Sequence, residues 1–212
     1  MSKIQAHTRY RNKANDVVPS ITTVINTVLA KPQLIVWANK LGLQGIDSTK
    51  VRDAMGNAGA LAHYFILCHL KGESPDTSEY SQETINLAEN SFLSYLEWEK
   101  HHSLKPILLE TPLVSENLRV GGTPDFYGYV DGELVLADYK TGGIYKEAFI
   151  QTCAYCRLLG DNDYQLPEKI IVLGIPRSEN ENFREEVYRN YDLGNEIFSH
   201  LRALYDLMKE VK

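Results

Sequence analysis

Three residues suited to phosphodiester chemistry lie close together in the middle of the chain: Asp125, Asp138 and Lys140. Between the two aspartates stands Asp131-Gly132, flanked by runs rich in β-branched and aromatic residues. That dipeptide is a strong hairpin signal, because both residues of the tight turn must take positive φ. A two-residue turn pairs Val130 with Glu133, and counting outward sets Asp125 opposite Asp138. Like charges facing each other across a ladder destabilise it, and aspartate is depleted from strands, so this register serves stability poorly. A cation reverses the sign, since Mg²⁺ takes oxygens from one or two carboxylates together with waters and substrate phosphate. Side chains two apart share a strand face, which puts Lys140 on the Asp138 side.

For a phosphodiester, a bound metal lowers the pKa of a water and polarises the phosphoryl oxygen, while a lysine orients that water or offsets developing charge. The competing reading is an exposed hairpin, its register broken by a β-bulge, with these side chains in solvent.

More residues tip the balance. Gly122-Thr123-Pro124-Asp125, the hairpin, Asp138-Tyr139-Lys140-Thr141-Gly142 and then Gln151-x-x-x-Tyr155 together resemble the RecB-like branch of the PD-(D/E)XK nuclease superfamily. Ala62-His63 is similar to that branch's helical histidine, and Glu110 in Leu109-Glu110-Thr111-Pro112-Leu113 to the acidic residue of its first core strand. Pro19-Ser20-Ile21-Thr22-Thr23-Val24-Ile25 and Trp37 resemble the opening of phage exonucleases and mitochondrial genome maintenance exonucleases. The resemblance implies that His63, Asp125, Asp138 and the Tyr139 backbone carbonyl bind Mg²⁺ or Mn²⁺. It implies that Lys140 is the catalytic lysine and Glu110 a further catalytic or second-metal carboxylate. Gln151 and Tyr155, four apart on one helix face, would contact DNA phosphate or orient the lysine.

Each added residue has a plainer alternative. His63, among Leu61, Ala62, Tyr64, Phe65 and Ile66, also reads as a hydrogen-bonded core histidine, and Glu110 as a strand residue paired with a basic neighbour. Trp37, Trp98 and the 13 tyrosines could stack on bases, but aromatics at helical spacing are more often core, so none is assigned to DNA. Iron–sulfur members of the family need four cysteines; this chain has Cys68, Cys153 and Cys156, and no cluster is expected.

These residues need a scaffold. Residues 7–18 read as a short hairpin entering a helix from Ile21, capped by Ser20 or Thr22. A second helical piece follows Pro32, and further helices span Thr49 to about Leu70 and Ser81 to His101. Strands are expected at Ile107 to Val114, Leu118 to Gly121, Pro124 to Val130 and Glu133 to Tyr139. A helix from Lys146 to Leu159, strands Lys169 to Ile175 and Arg184 to Tyr191, and a helix Leu193 to Lys209 complete the list. The expectation is one α/β domain with a restriction-endonuclease-like core, a mixed sheet flanked by helices. It divides into an N-terminal hairpin and helices (1–105), a catalytic sheet with the Gln-x-x-x-Tyr helix (106–191) and a C-terminal helix (192–212).

The 22 basic and 28 acidic side chains leave a net charge of -6, so no global positive field attracts nucleic acid. Contact should be confined to a cleft edged by groups such as Lys140, Lys146, Arg9 or Arg11, and the short basic run Lys3, Arg9, Arg11 and Lys13 is a weak signal. Sparse, odd-numbered cysteines and the lack of a leader or spanning segment suggest a soluble, cytoplasmic protein with no membrane partner. The sequence reading is therefore a metal-dependent exonuclease acting on DNA that is single-stranded or has free ends, with a possible protein partner in recombination or repair. The alternatives are a structure-specific endonuclease or a silent DNA-binding module of the same fold.

Overall fold

The computed structural model describes residues 9–211, so Lys3 and the start of the expected first hairpin lie outside the described residues. Strands β1 (Tyr10–Arg11) and β2 (Val17–Val18) pair antiparallel and lead directly into helix α1 (Ile21–Val28). The Ser20 hydroxyl accepts the Thr23 N–H at 2.9 Å, satisfying one of the free donors at the helix start. Helix α2 (Pro32–Leu43) starts on a proline, whose missing N–H costs nothing in the first turn, and it leaves α1 at an angle of 75°. Asp47 caps α3 (Ser48–Lys71) and Ser81 caps α4 (Gln82–Glu99) in the same manner as Ser20.

Strand β3 (Leu104–Leu109) is followed by a small antiparallel pair, β4 (Leu113–Ser115) and β5 (Val120–Gly122). The hairpin between Asp125 and Lys140 is β6 (Phe126–Val130) and β7 (Glu133–Thr141), turning at Asp131 and Gly132 with φ of 53° and 90°. Helix α5 (Lys146–Asp161), β8 (Lys169–Ile175), β9 (Arg184–Tyr188) and α6 (Asp192–Glu210) complete the chain. The central sheet runs β3-β6-β7-β8-β9, with β7 and β8 parallel and the other neighbours antiparallel. It is a mixed five-stranded sheet flanked by helices.

Expected strand ends shift by a few residues, giving Val120–Gly122, Phe126–Val130 and Arg184–Tyr188, and one strand changes more. Ile107 to Val114 is not one strand: the chain breaks after Leu109, where Glu110 takes a left-handed φ of 40° and Pro112 has no N–H to donate. The residues beyond it leave the central sheet and pair with β5.

Alternation along β7 explains how the sheet is buried on both faces. Leu134 and Leu136 join a core with α1, α5 and α6, which includes Ile25, Leu158 and Phe198. Val135, Ala137 and Tyr139 face the other way, onto Ile66 of α3 and Tyr95 and Trp98 of α4. Burying side chains of this size contributes about 1.5–3 kcal/mol each, so the two helical layers hold β7 rigidly. Asp138 and Lys140 therefore emerge on the α5 side, near the end of a strand buried on both faces.

Candidate active site

Asp125 stands one residue before β6, at the mouth of the hairpin. The ladder pairs Phe126 with Ala137 and Val130 with Glu133, the register expected from the turn, so Asp125 lies opposite Asp138 by continuation. Its carboxylate ties three elements together. Oδ2 accepts the Tyr139 N–H of β7 at 2.7 Å, and Oδ1 lies 3.3 Å from Nδ1 of His63 on α3. Its backbone carbonyl accepts the Glu110 N–H at 3.1 Å, which anchors the end of β3.

Ligand atoms of His63, Glu110 and Asp125 all lie within 4.8 Å of one another, brought together from a helix, a strand end and the hairpin. Asp138 is not part of that trio. It is 2% exposed, and its Oδ2 lies 2.6 Å from the Lys140 ammonium. Lys140 donates to Gln151 Oε1 at 3.2 Å, and Gln151 Nε2 donates to the Tyr155 hydroxyl at 2.7 Å. Of the two roles open for Gln151 and Tyr155, this geometry supports orienting the lysine. Tyr155 is only 5% exposed and reaches the site through Gln151.

The backbone is shaped to allow this. A Cβ on Gly122 would meet the Tyr155 ring at 2.6 Å, so only glycine lets β5 lie against that side chain. The Tyr10 hydroxyl meets the Thr123 hydroxyl at 2.8 Å, pinning the N-terminal hairpin over the Gly-Thr-Pro-Asp segment. Glu110 holds a conformation rare for a residue with a Cβ; such strain, about 1–3 kcal/mol, gathers at functional sites.

Crowding these groups shifts their protonation. Burial would pull the His63 imidazole down, but the charge and hydrogen bond of Asp125, with Glu110 beyond, outweigh it and lift His63 to about 9. Burial opposes ionisation of Asp125 too, yet His63, Lys140 and the Tyr139 N–H hold it below its ordinary value. Burial, then the Asp125 charge, pushes Glu110 up. Burial also raises Asp138, to about 6, with Asp125 adding to it against the pull of Lys140. Lys140 resists its own burial because Asp138 and Asp125 raise it, so it remains an ammonium at neutral pH.

The donor set suits a hard divalent cation: two carboxylates and an imidazole face one another. Asp138 is set apart by its contact with Lys140, and Tyr139, whose carbonyl is the expected backbone ligand, is tied beside the trio through its N–H to Asp125.

Beside the site opens a cleft of about 660 Å³ lined by residues of α1, α2, α3 and α5 together with Lys140 and Gln151. Sequence reasoning missed Arg177, which lies after β8, lines this cleft and pairs with Glu181 at 2.6 Å. No motif marks it. Lys146, Arg9 and Arg11 are not among the lining groups; Lys31, Arg52 and Arg177 take the place expected of them. The three cysteines are free and buried. Among the described residues, no single helix is long and apolar enough to cross a membrane. No known protein-family model matches the chain, and no curated protein matches it.

Proposed function

We propose that this chain is a divalent-metal-dependent deoxyribonuclease with a restriction-endonuclease-like core, hydrolysing DNA from free ends. The observation that carries the reading is the convergence of His63, Glu110 and Asp125 within 4.8 Å, beside an Asp138–Lys140 pair in which a glutamine holds the lysine. A stability role alone gives no reason to gather three acidic groups at the end of a buried strand.

His63, Glu110 and Asp125 would hold the cation, with Asp138 next to them on the adjoining strand. When bound, Mg²⁺ or Mn²⁺ supplies Lewis acidity and acidifies water. The protein's own groups do the rest. Lys140, held as an ammonium, cannot take a proton from water; it provides a fixed positive charge where negative charge develops on the phosphoryl oxygens. Gln151 restricts the ammonium to one position, and Tyr155 restricts Gln151 in turn. Asp138, raised to about 6, is ionised at neutral pH and is the group beside Lys140 able to accept a proton.

The test is incubation with end-labelled linear single- and double-stranded DNA and with closed circular DNA, in Mg²⁺, Mn²⁺ or EDTA, alongside Asp138→Ala. Shortening from linear ends only, abolished by EDTA and by the substitution, is the expected result. Cleavage of circles would make the protein an endonuclease, and no cleavage of any substrate would leave it a binding module.

A further inference from the structure

Helix α2 is unusual in this fold because none of its residues is buried. Leu34, Ile35, Val36 and Leu43 are 52%, 73%, 70% and 82% exposed. A helix of 12 residues that buries no face is marginal, since helices in proteins draw most of their stability from packing. Leu34 and Trp37, three apart and hence on one side of the helix, line the cleft beside the catalytic lysine. Tyr145, immediately before α5, lines the same cleft and is 66% exposed. An exposed tyrosine and a partly exposed tryptophan thus border a space that continues to Lys140 and Gln151.

The charge of the lining selects the ligand. Lys31, Arg52, Lys140 and Arg177 line the cleft against Glu147 and Glu181, a positive balance in a chain whose net charge is -6. Lys31 is held by Asn26, Arg52 by its neighbour Asp53 and Arg177 by Glu181. The exposed contacts of Lys31 and Arg52 are weak enough to exchange for phosphate, whereas Arg177 is held on Glu181 by its backbone N–H and two guanidinium nitrogens. At about 660 Å³ the cleft lies within the range of small-molecule sites, about 300–1,000 Å³, which is room for separate bases.

We propose that this cleft is a base-stacking subsite for an unpaired DNA strand, with Trp37 and Tyr145 as its aromatic walls and with the strand's phosphates led to Lys140. This rests on the nuclease reading and names its substrate as single-stranded DNA. Stacking suits the site because every base offers a π face, so the strand is gripped without regard to sequence.

The chain has two tryptophans, and Trp98 is 7% exposed with its indole N–H donated to Glu185, so quenching by a ligand reports Trp37. In EDTA, which prevents cleavage, the full chain is titrated with a fluorescein-labelled oligothymidylate and with a duplex of equal length. Tryptophan emission and the anisotropy of the label are followed together. The expected result is quenching by the single strand, with the duplex binding at least about tenfold more weakly. Trp37→Leu and Tyr145→Ser should each weaken single-strand binding about tenfold, with Trp37→Phe restoring most of it. Helix content of each variant is checked by circular dichroism, and because Trp37 lies on a helix with no buried residue and Tyr145 is largely exposed these variants should fold.

Equal or tighter duplex binding, unchanged tryptophan emission at saturation, or wild-type affinity in Trp37→Leu would overturn the subsite. The two readings fail separately. Single-strand affinity lost in Trp37→Leu, read by the anisotropy of the label, from a protein that cleaves nothing in Mg²⁺ upholds the stacking site and removes the nuclease. Cleavage of single strands with Trp37→Leu at wild-type rate and affinity does the reverse.

Discussion

Asp125 Oδ2 accepts the backbone N–H of Tyr139 at 2.7 Å, so a single carboxylate closes the open end of the β6–β7 ladder. The residue opposite Asp138 is thus a structural clamp as well as a ligand candidate. The same carboxylate keeps its second oxygen for His63, which joins α3 to the sheet.

This double use separates two substitutions at Asp125. Asparagine retains an acceptor for the Tyr139 N–H and removes the charge; alanine removes both. Cleavage by both variants should fall by about 100-fold or more, on the scale seen when one charge-stabilising group leaves a catalytic site. Thermal unfolding should distinguish them, with Asp125→Ala less stable than Asp125→Asn by about 1–3 kcal/mol because a part-buried N–H loses its partner. Wild-type cleavage by Asp125→Asn would remove this residue from the metal site.

The chain Lys140–Gln151–Tyr155 predicts a coupled pair of variants. Gln151→Ala leaves the ammonium without its neutral anchor and should lower kcat by roughly tenfold, a hydrogen bond to a charged group being worth about 1.5–3 kcal/mol. Tyr155→Phe removes the hydroxyl that receives Gln151 and should cost less, roughly two- to tenfold. Because Tyr155 acts through Gln151, the double variant should be no slower than Gln151→Ala. Losses that multiply would mean that the two residues act separately.

Much of this arrangement was legible in the sequence for identifiable reasons. Asp131-Gly132 set a turn that fixed the register, and a period-2 strand carried Asp138 and Lys140 to one face. Ser20 and Ser81 marked helix starts, and the apolar run Lys169–Ile175 formed a strand with the bounds expected of it. Less legible was the break at Glu110. Apolar residues continue from Ile107 to Val114, and only Pro112, unable to donate to a central ladder, signalled the end. Arg177 could not be read at all, because it reaches the cleft from the loop after β8 and depends on where the parallel β7–β8 pairing delivers that loop. The cleft wall made by α2 is equally a product of tertiary placement, since Trp37 at helical spacing gives the same pattern in a core helix.

Packing around the site gives a stability prediction. Gly122→Ala would place a methyl 2.6 Å from the Tyr155 ring and 2.7 Å from Leu158. Overpacking of this kind costs about 1–3 kcal/mol, and a chain of this size loses roughly 2–4 °C of Tm for each kcal/mol. Tyr155 must shift, so cleavage should fall along with stability. Gly56→Ala is the matched control: it is exposed within α3 with nothing within 4 Å of the added carbon, and alanine favours the helix by up to about 1 kcal/mol. Calorimetry should therefore show opposite shifts of Tm, and a lower Tm for Gly56→Ala would contradict the account of α3.

The most informative pH dependence comes from His63, lifted to about 9 by Asp125 and Glu110 against the effect of burial. In the metal-free protein this raised pKa means that the charged pair stabilises the fold fully below the unfolded value, about 6.5, and loses that contribution as pH rises through about 9. Metal binding needs the neutral imidazole, so the cation must displace a proton that His63 still holds at pH 7. Calorimetric titration with Mn²⁺ in two buffers of different ionisation enthalpy should therefore show proton release at pH 7 that diminishes towards pH 9.5, with apparent affinity rising over that span. His63→Gln should abolish the release and flatten the affinity profile. Mn²⁺ binding without proton release in the wild-type protein would place the ion away from His63.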